Sequence, residues 1–472
     1  MKNLRIYLIV SLVAPSLVFA QPATSHVSNL ENIVAQAANK SETLKSLEVS
    51  LESLDSEIKA RDLELSSRLN AELSAYKDKR EVFGTIPREG TSGIFGLTVV
   101  KPFSSGTELL VATDHTLLGK DDTYPERSTA QWQVQLSQSL WQNSFGRSTR
   151  LRHQAEEAEL KSRKASLEFE RQNFLITVEN AYWDLVLAEK ELAIRKDNVK
   201  RSETLEKWTS GRMRQFAAEK TDLLQVQALL AQRKLDLAIV ENDLTNKQKN
   251  LEQLVPGLEY KSADFVAEKM GDLNSNYKEQ FKNKKLRLDA YAQEQRAQQN
   301  SFEALRDEDS LRPDLSVFAS YTQNGIAEKF DPAWDRALEE NHSEQKVGLT
   351  LTMLLDSEGK SQQQKASAKA SEAAKYRAQA LNRASENSWA ELARNFENMS
   401  EQIKVAKNLF NIQSQKLKAE QQRFQQGRTT TLQMTTFEID AAESELRLYR
   451  LLSQQQKLAS QFRLFVSAGS DL

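Results

Sequence analysis

The sequence predicts a mainly α chain with a smaller β part, internally duplicated, in which two long antiparallel helical hairpins each follow a pair of strands. Three observations carry this. From Gly359 to Gly469 there is no proline and one internal glycine, Gly427. Between Gly146 and Pro256 there is again no proline, and the one glycine is Gly211. Landmarks in the two stretches also keep a near-constant separation: Val134/Val347 and Gly146/Gly359 lie 213 apart, Gly257/Gly469 212 and Arg212/Arg423 211. Such a spacing, held over roughly a hundred positions, marks a duplication.

Taken in order, the chain opens with Lys2 and Arg5 ahead of an apolar run, Ile6 to Phe19, and then Val18-Phe19-Ala20. This predicts a cleavable signal peptide over 1–20, with Gln21 as the mature start. Residues 29–83 read as helix, with Leu44, Leu47, Leu51 and Leu54 on one face. Glycines and prolines cluster from Gly84 to Gly106, and the period then changes to two. Ala130, Trp132, Val134, Leu136 and Leu140 alternate with Gln131, Gln133, Gln135, Ser137 and Ser139. With the looser alternation of Leu109, Val111 and Leu117, this predicts a β-hairpin over about 106–141, beside a short extended piece at 93–101. The second copy repeats it over about 313–356, where Leu315, Val317, Ala319 and Tyr321 and then Val347, Leu349, Leu351 and Met353 alternate with polar residues. Its connection, 324–344, reads as a long loop. Repeat 1 spans about 29–257 and repeat 2 about 276–469, with helices over 29–83, 146–308 and 359–466 and an irregular stretch at 258–275.

Within the hairpins, apolar residues step by three and four, the seam of a coiled coil. Phe174, Val178, Ala181, Leu185, Ala188 and Leu192 mark the first, and Trp389, Leu392, Phe396, Met399, Ile403, Ala406 and Phe410 the second. Gly427 followed by Thr429-Thr430-Thr431 supplies a left-handed turn and an N-cap, so the second tip falls at 427–431.

Composition removes several functions. Net charge is −2, with 64 basic and 66 acidic residues interspersed, which gives no basis for nucleic-acid binding. The chain has no cysteine, hence no disulfide, thiol catalysis or thiolate metal site. His26, His115, His153 and His342 lie far apart, without metal-ligand spacing, and read as surface or loop residues. Gly359-Lys360-Ser361 resembles the end of a phosphate loop but lacks its first glycine, Leu354 standing there. Lys282, Lys284, Lys285 and Arg287 form a basic cluster among acids, read as a solvated face. No catalytic, cofactor or metal residues are assigned, and no enzyme activity is expected.

A strand with one apolar and one Gln/Ser/Thr face suits either a soluble sheet or a membrane barrel, apolar outward to lipid and polar inward to water. Export past an inner membrane, strands of ~9–12 residues and helices whose seams are spent on each other favour the barrel. Four transmembrane strands per chain cannot close one, because the smallest has about eight. Copies must therefore pool their strands. Tyr124, Trp132, Trp141 and Tyr321 are candidates for an aromatic girdle at the membrane interface.

The duplicated layout, the tip Arg423-Phe424-Gln425-Gln426-Gly427-Arg428-Thr429, Ala181-Tyr182-Trp183-Asp184-Leu185 and Arg312-Pro313-Asp314-Leu315 together resemble the TolC family of outer-membrane efflux channels. The resemblance covers essentially the whole mature chain. It implies a homotrimeric channel, with a twelve-stranded barrel in outer-membrane lipid continued by an α-helical barrel in the periplasm. Such a duct closes at its helical tips. It opens on joining a periplasmic adaptor and an inner-membrane transporter, in tripartite efflux or type I secretion, and needs no cofactor. The family often places aspartates six and nine positions after the tip glycine, where this chain has Gln433 and Thr436. In the first repeat Phe216 matches Gly427, and Asp222 falls where an acid is expected. Asp222 is thus the candidate for the constriction, and Arg212, Arg423 and Arg428, with Thr429, complete the candidate tip. The competing reading is a periplasmic coiled-coil adaptor or scaffold.

Overall fold

A computed structural model describes residues 30–77, 91–120, 125–216, 218–258, 285–339 and 341–467. The predicted signal peptide, Tyr124, Lys282, Lys284 and most of the irregular stretch 258–275 lie outside these. Two short helices open the described chain, α1 (Leu30–Lys40) and α2 (Glu42–Ala60). Four strands follow: β1 (Arg68–Lys77), β2 (Thr91–Pro102), β3 (Thr107–Leu118) and β4 (Arg127–Ser139). The first long hairpin is α3 (Arg147–Arg214) with α4 (Lys220–Leu254). Then come β5 (Lys285–Arg287), α5 (Leu288–Ser310), β6 (Asp314–Ala327), α6 (Phe330–Leu338) and β7 (Ser343–Thr352). The second hairpin is α7 (Ser357–Gln425) with α8 (Thr431–Gln461), and β8 (Phe465–Ser467) closes the chain against β5.

α3 has 68 residues and α7 has 69, so each reaches about 100 Å at ~1.5 Å per residue. α3 packs on α4, α5 and α8, and α7 packs on α8 and α5. Their shared core contains Val178, Leu185, Leu251, Ile403 and Leu452, joined by Ile33 and Leu44 from α1 and its neighbour. Asp356 caps α7, its Oδ1 accepting from the Gly359 N–H at 2.9 Å. The helix start that resembled a phosphate loop is therefore occupied by the chain's own carboxylate.

The sheet corrects the expectation of four strands: six lie side by side in the order β1-β2-β3-β4-β6-β7, every pair antiparallel. The extra hairpin is β1–β2. Residues 68–77 fall inside the segment expected as helix over 29–83. Their Ala, Leu and Glu content favours helix, yet Leu69, Ala71, Leu73 and Ala75 alternate with Arg68, Asn70, Glu72 and Ser74. Pairing with β2 overrides local propensity. In β2, Gly93 and Gly96 imitate turn punctuation inside one continuous strand.

The connection expected as a loop over 324–344 contains α6, which lies across β4 and β6. Ala333 and Ala337 are buried against Ala130, and the Trp132 Nε1–H donates to the Ala337 carbonyl at 3.0 Å. His115, expected as a surface histidine, is buried here, with Nε2 2.9 Å from Ser128 Oγ and its ring 4.1 Å from that of Phe330. Gly325 permits this approach: a Cβ there would meet the Ala333 carbonyl oxygen at 2.0 Å and the Ala337 nitrogen at 2.4 Å. Gly325→Val should push α6 off the sheet. The measurement is limited proteolysis of the purified protein, where cleavage within 328–342 should become at least several-fold faster. An unchanged rate would mean that α6 is held elsewhere.

Candidate functional site

The strand registers sort the sheet into two faces. One carries Leu69 and Leu73, Phe95 and Val99, Val111, Val134 and Leu136, Ala319 and Tyr321, then Val347, Leu349 and Leu351. The other carries Asn70 and Ser74, Thr98, Asp114, Gln131, Gln133 and Gln135, Ser320 and Thr322, then Lys346 and Thr350. The apolar face is open, Leu73 being 86% and Val347 78% exposed. Among the described residues no helix packs along it below α6. This is the pattern of a membrane barrel wall, with one side for hydrocarbon and one for water. Among the described residues no helix is long and apolar enough to cross a membrane.

Trp132 and Tyr321 sit together on the apolar face, ring centroids 5.4 Å apart, under the edge of α6. Trp141 stands exposed beyond the other end of β4. About nine residues separate Trp132 from Trp141, or ~30 Å along a strand. Tilted by ~40°, that spans roughly 23 Å, close to the ~25 Å apolar band of such barrels.

At the far end the two tips share one backbone solution. α7 ends in a Schellman motif in which Arg428 N–H donates to the Arg423 carbonyl (2.9 Å) and Gly427 N–H to that of Phe424 (3.0 Å), with Gly427 left-handed at φ 70°. Thr430 Oγ1 caps α8 by accepting from Gln433 N–H, and Thr429 Oγ1 donates to Gln433 Oε1 at 2.8 Å. At the first tip Phe216 takes the left-handed place, φ 57°, its N–H on the Met213 carbonyl at 3.0 Å. Its ring is 99% exposed. Asp222 accepts from Glu219 N–H at 3.1 Å, so its carboxylate helps cap α4. Arg423 lies 3.8 Å from Glu420, while Arg212 rests over the Trp208 ring at 4.7 Å.

Trp208 in turn packs on Phe424 of the other hairpin, centroids 4.2 Å apart. Beside this stack a cavity of about 400 Å³ is lined by Asp197, Arg201, Met434 and Glu438. Above it, α3 is joined to α8 and the turn just after it by a ladder of ion pairs: Glu179 with Arg463, Asp184 with Lys457 (2.5 Å), Glu191 with Arg450 (2.8 Å) and Arg201 with Glu438 (4.0 Å). Each step down α3 meets a step back along α8, as antiparallel helices require. Burial raises the carboxyls of Glu179 and Glu438 above the usual range, against the pull of Arg463 on one and of Arg201 and Arg233 on the other. Sequence reading missed these residues, because each charge looks like a solvated helix face until its partner some 240–280 positions away is known. Arg287, from the basic cluster, pairs with Asp289 at 2.6 Å. Among the described residues no group of three His, Asp or Glu could hold a metal.

A two-faced antiparallel sheet continued by two helices of about 100 Å, each folded back on a partner about half as long, defines the fold class of channel-tunnel proteins. Solved structures of this class match almost end to end. The outer-membrane protein VceC from Vibrio cholerae matches at 13% identity, covering 92% of this chain and 95% of its own, with a TM-score of 0.65. The outer-membrane channel CmeC of Campylobacter jejuni matches at 13% identity, 100% and 96% coverage and 0.64. The open state of the outer-membrane channel MtrE of Neisseria gonorrhoeae matches at 15% identity, 92% and 88% coverage and 0.61. This chain has the TolC-family channel fold. No protein-family profile matches the sequence, and no curated protein matches it either.

Glu189, on α3 between the ladder's rungs, is pushed up by burial to about 7. The folded chain therefore holds this proton more tightly than the unfolded one, so raising the pH from the ordinary carboxylate range through 7 costs stability. Glu189→Gln should raise the heat-unfolding temperature of the protein at pH 8 by roughly 1–3 °C, the group being only half buried. The difference should vanish at pH 5. An equal effect at both pH values would show that Glu189 is not carrying a desolvated charge.

Proposed function

We propose that this chain is the outer-membrane subunit of a passive export duct. Copies, three by the family resemblance, pool their strands into a barrel in outer-membrane lipid, and their hairpins continue it as a tunnel through the periplasm. At the tips the duct joins a periplasmic adaptor and an inner-membrane transporter, as in tripartite efflux or type I secretion. Substrates pass without chemistry. The observation that carries this reading is the sheet with one exposed apolar face and one polar face, set on hairpins long enough to bridge a periplasm. The relatives in fold are described as outer-membrane channels, which supports it. A soluble adaptor or scaffold would have to cover the apolar face, and here Leu73 and Val347 stand open.

In this reading the tips form the gate. The Trp208–Phe424 stack holds the hairpins together when closed, and the Thr429–Gln433 bond fixes the second tip's own turn. Asp222 supplies the charge at the constriction, Gln433 leaving the second hairpin neutral there. Phe216, strained and bare, is the contact offered to the adaptor, with Arg212, Arg423 and Arg428 beside it. Girdle and lipid contact fall to Trp132, Trp141 and Tyr321.

Fractionation tests the main reading. The protein should sediment with outer membranes, require detergent and run as a heat-sensitive oligomer, whereas release by osmotic shock would sink the duct. Two variants test the tip. Asp222→Asn keeps an acceptor for Glu219 N–H and removes the charge, so single-channel cation block or selectivity should change. Phe216→Gly relieves left-handed strain, yet export in the native host should fall several-fold at an unchanged membrane level. Wild-type behaviour in either removes that residue from its role.

A further inference from the structure

We propose that the barrel is sealed between copies by β1 of one copy pairing antiparallel with β7 of the next. Each copy then supplies six strands to the wall, where the family resemblance implies four. The proposal rests on the duct reading and says how its wall is built.

Among the described residues the sheet has two bare edges. β1 is bonded only to β2, and β7 only to β6. Both are 10 residues long. In a bilayer an unpaired edge of that length is untenable, since lipid supplies no partner for its N–H and C=O groups. Six alternating strands leave β1 and β7 running opposite ways, so a neighbour's β1 beside β7 continues the alternation. Both faces also continue across the seam. Leu69 and Leu73 on β1 match Val347 and Leu351 on β7 as apolar, exposed residues. Asn70 and Ser74 match Lys346 and Thr350 as polar ones.

The β1–β2 hairpin is part of the wall and not an appendage. β2 is paired with β3 along its length from Ser92 to Pro102. The turn between them is set into the junction of barrel and helices. Gly146 passes so close that a Cβ would meet the Ser104 carbonyl oxygen at 1.7 Å, and Ser139 N–H donates to the Gly106 carbonyl at 3.1 Å. Lys101 Nζ ties the foot of β2 to the Leu65 carbonyl at 2.7 Å.

The helical region leaves the same partner to be found. α4 exposes Leu224, Leu235 and Ile239, and α7 exposes Val405, Leu409 and Ile412, in steps that build a second coiled-coil seam. Leu235 and Ile239 lie about as far along the chain from Phe216 as Leu409 and Val405 lie from Gly427. A second copy laid α4 against α7 therefore brings the two stripes to one height while β1 meets β7 above. Strand number comes in multiples of six, and a ring of three holds three times six, or eighteen, in place of twelve. Barrel diameter grows about linearly with strand number, which makes this mouth ~1.5-fold wider.

The natural absence of cysteine makes the test clean. Ser74→Cys is combined in turn with Glu344→Cys, Lys346→Cys and Thr350→Cys in the full-length protein, and outer-membrane preparations are oxidised with copper phenanthroline. One combination should convert most of the monomer band into a reducible ladder that ends at the closed ring. Thr116→Cys on β3, paired with the same three positions, should give no ladder. A ladder from β3 and none from β1 would return the wall to four strands per copy, and no ladder from either would remove β7 as the sealing edge. Failure of the duct reading is seen separately, before oxidation, as protein in the osmotic-shock fluid.

Discussion

The constraint on which the rest depends is that lipid cannot satisfy a backbone. Every N–H and C=O left unpaired in hydrocarbon costs several kcal/mol. A sheet with an apolar outer face is therefore tolerable only when its edges are closed. A single copy of this chain cannot close them, since β1 and β7 lie five strands apart at opposite ends of one curved sheet. The same logic explains why, among the described residues, only the short α6 lies on the apolar face. Each long helix already spends one seam on its hairpin partner, and α4 and α7 hold a second seam outward. In the proposed duct, edges, faces and seams are all met by another copy of the same molecule.

The joint between the hairpins is of a different kind. The ladder from Glu179–Arg463 down to Arg201–Glu438 consists mostly of partly exposed pairs, and such pairs contribute only ~0–1 kcal/mol each. Glu179 and Glu438, which are buried, would be costly to strip of their partners but add little net stability while paired. The ladder therefore sets register more than strength. It fixes which turn of α3 faces which turn of α8, yet leaves the lower hairpins free to part at modest cost.

The long hairpins were legible because three- and four-step periodicity persists for dozens of residues, and because Gly427 followed by threonines has only one comfortable conformation. The first tip was legible only through the repeat: nothing local about Phe216 announces a left-handed turn, but its distance from Gly427 does. β3, β4, β6 and β7 showed a period of two. β1 alternates too, but its Leu, Ala and Glu72 are all good helix formers, so helical propensity masked the period. α6 was hidden for the opposite reason. Nine residues containing a proline and two aspartates carry too little pattern, and the helix exists because Gly325 and Ala130 leave room for it. Contacts between the hairpins could not be read at all, since they join charges far apart in sequence.

The duplication copied a turn and not a residue, and the difference separates the roles of the two tips. At Gly427 the left-handed backbone is free of strain, the exposed N–H groups are capped, and the neighbouring Phe424 turns inward onto Trp208. At Phe216 the same backbone carries a side chain, which costs about 1–2 kcal/mol, and that side chain turns wholly to solvent. A glycine would do the structural work at lower cost, and the sister repeat shows that the turn accepts one. Strain held where it brings nothing to the isolated fold is a signature of function. In the proposed duct the second hairpin thus closes on its own neighbours, while the first offers its ring to an external surface.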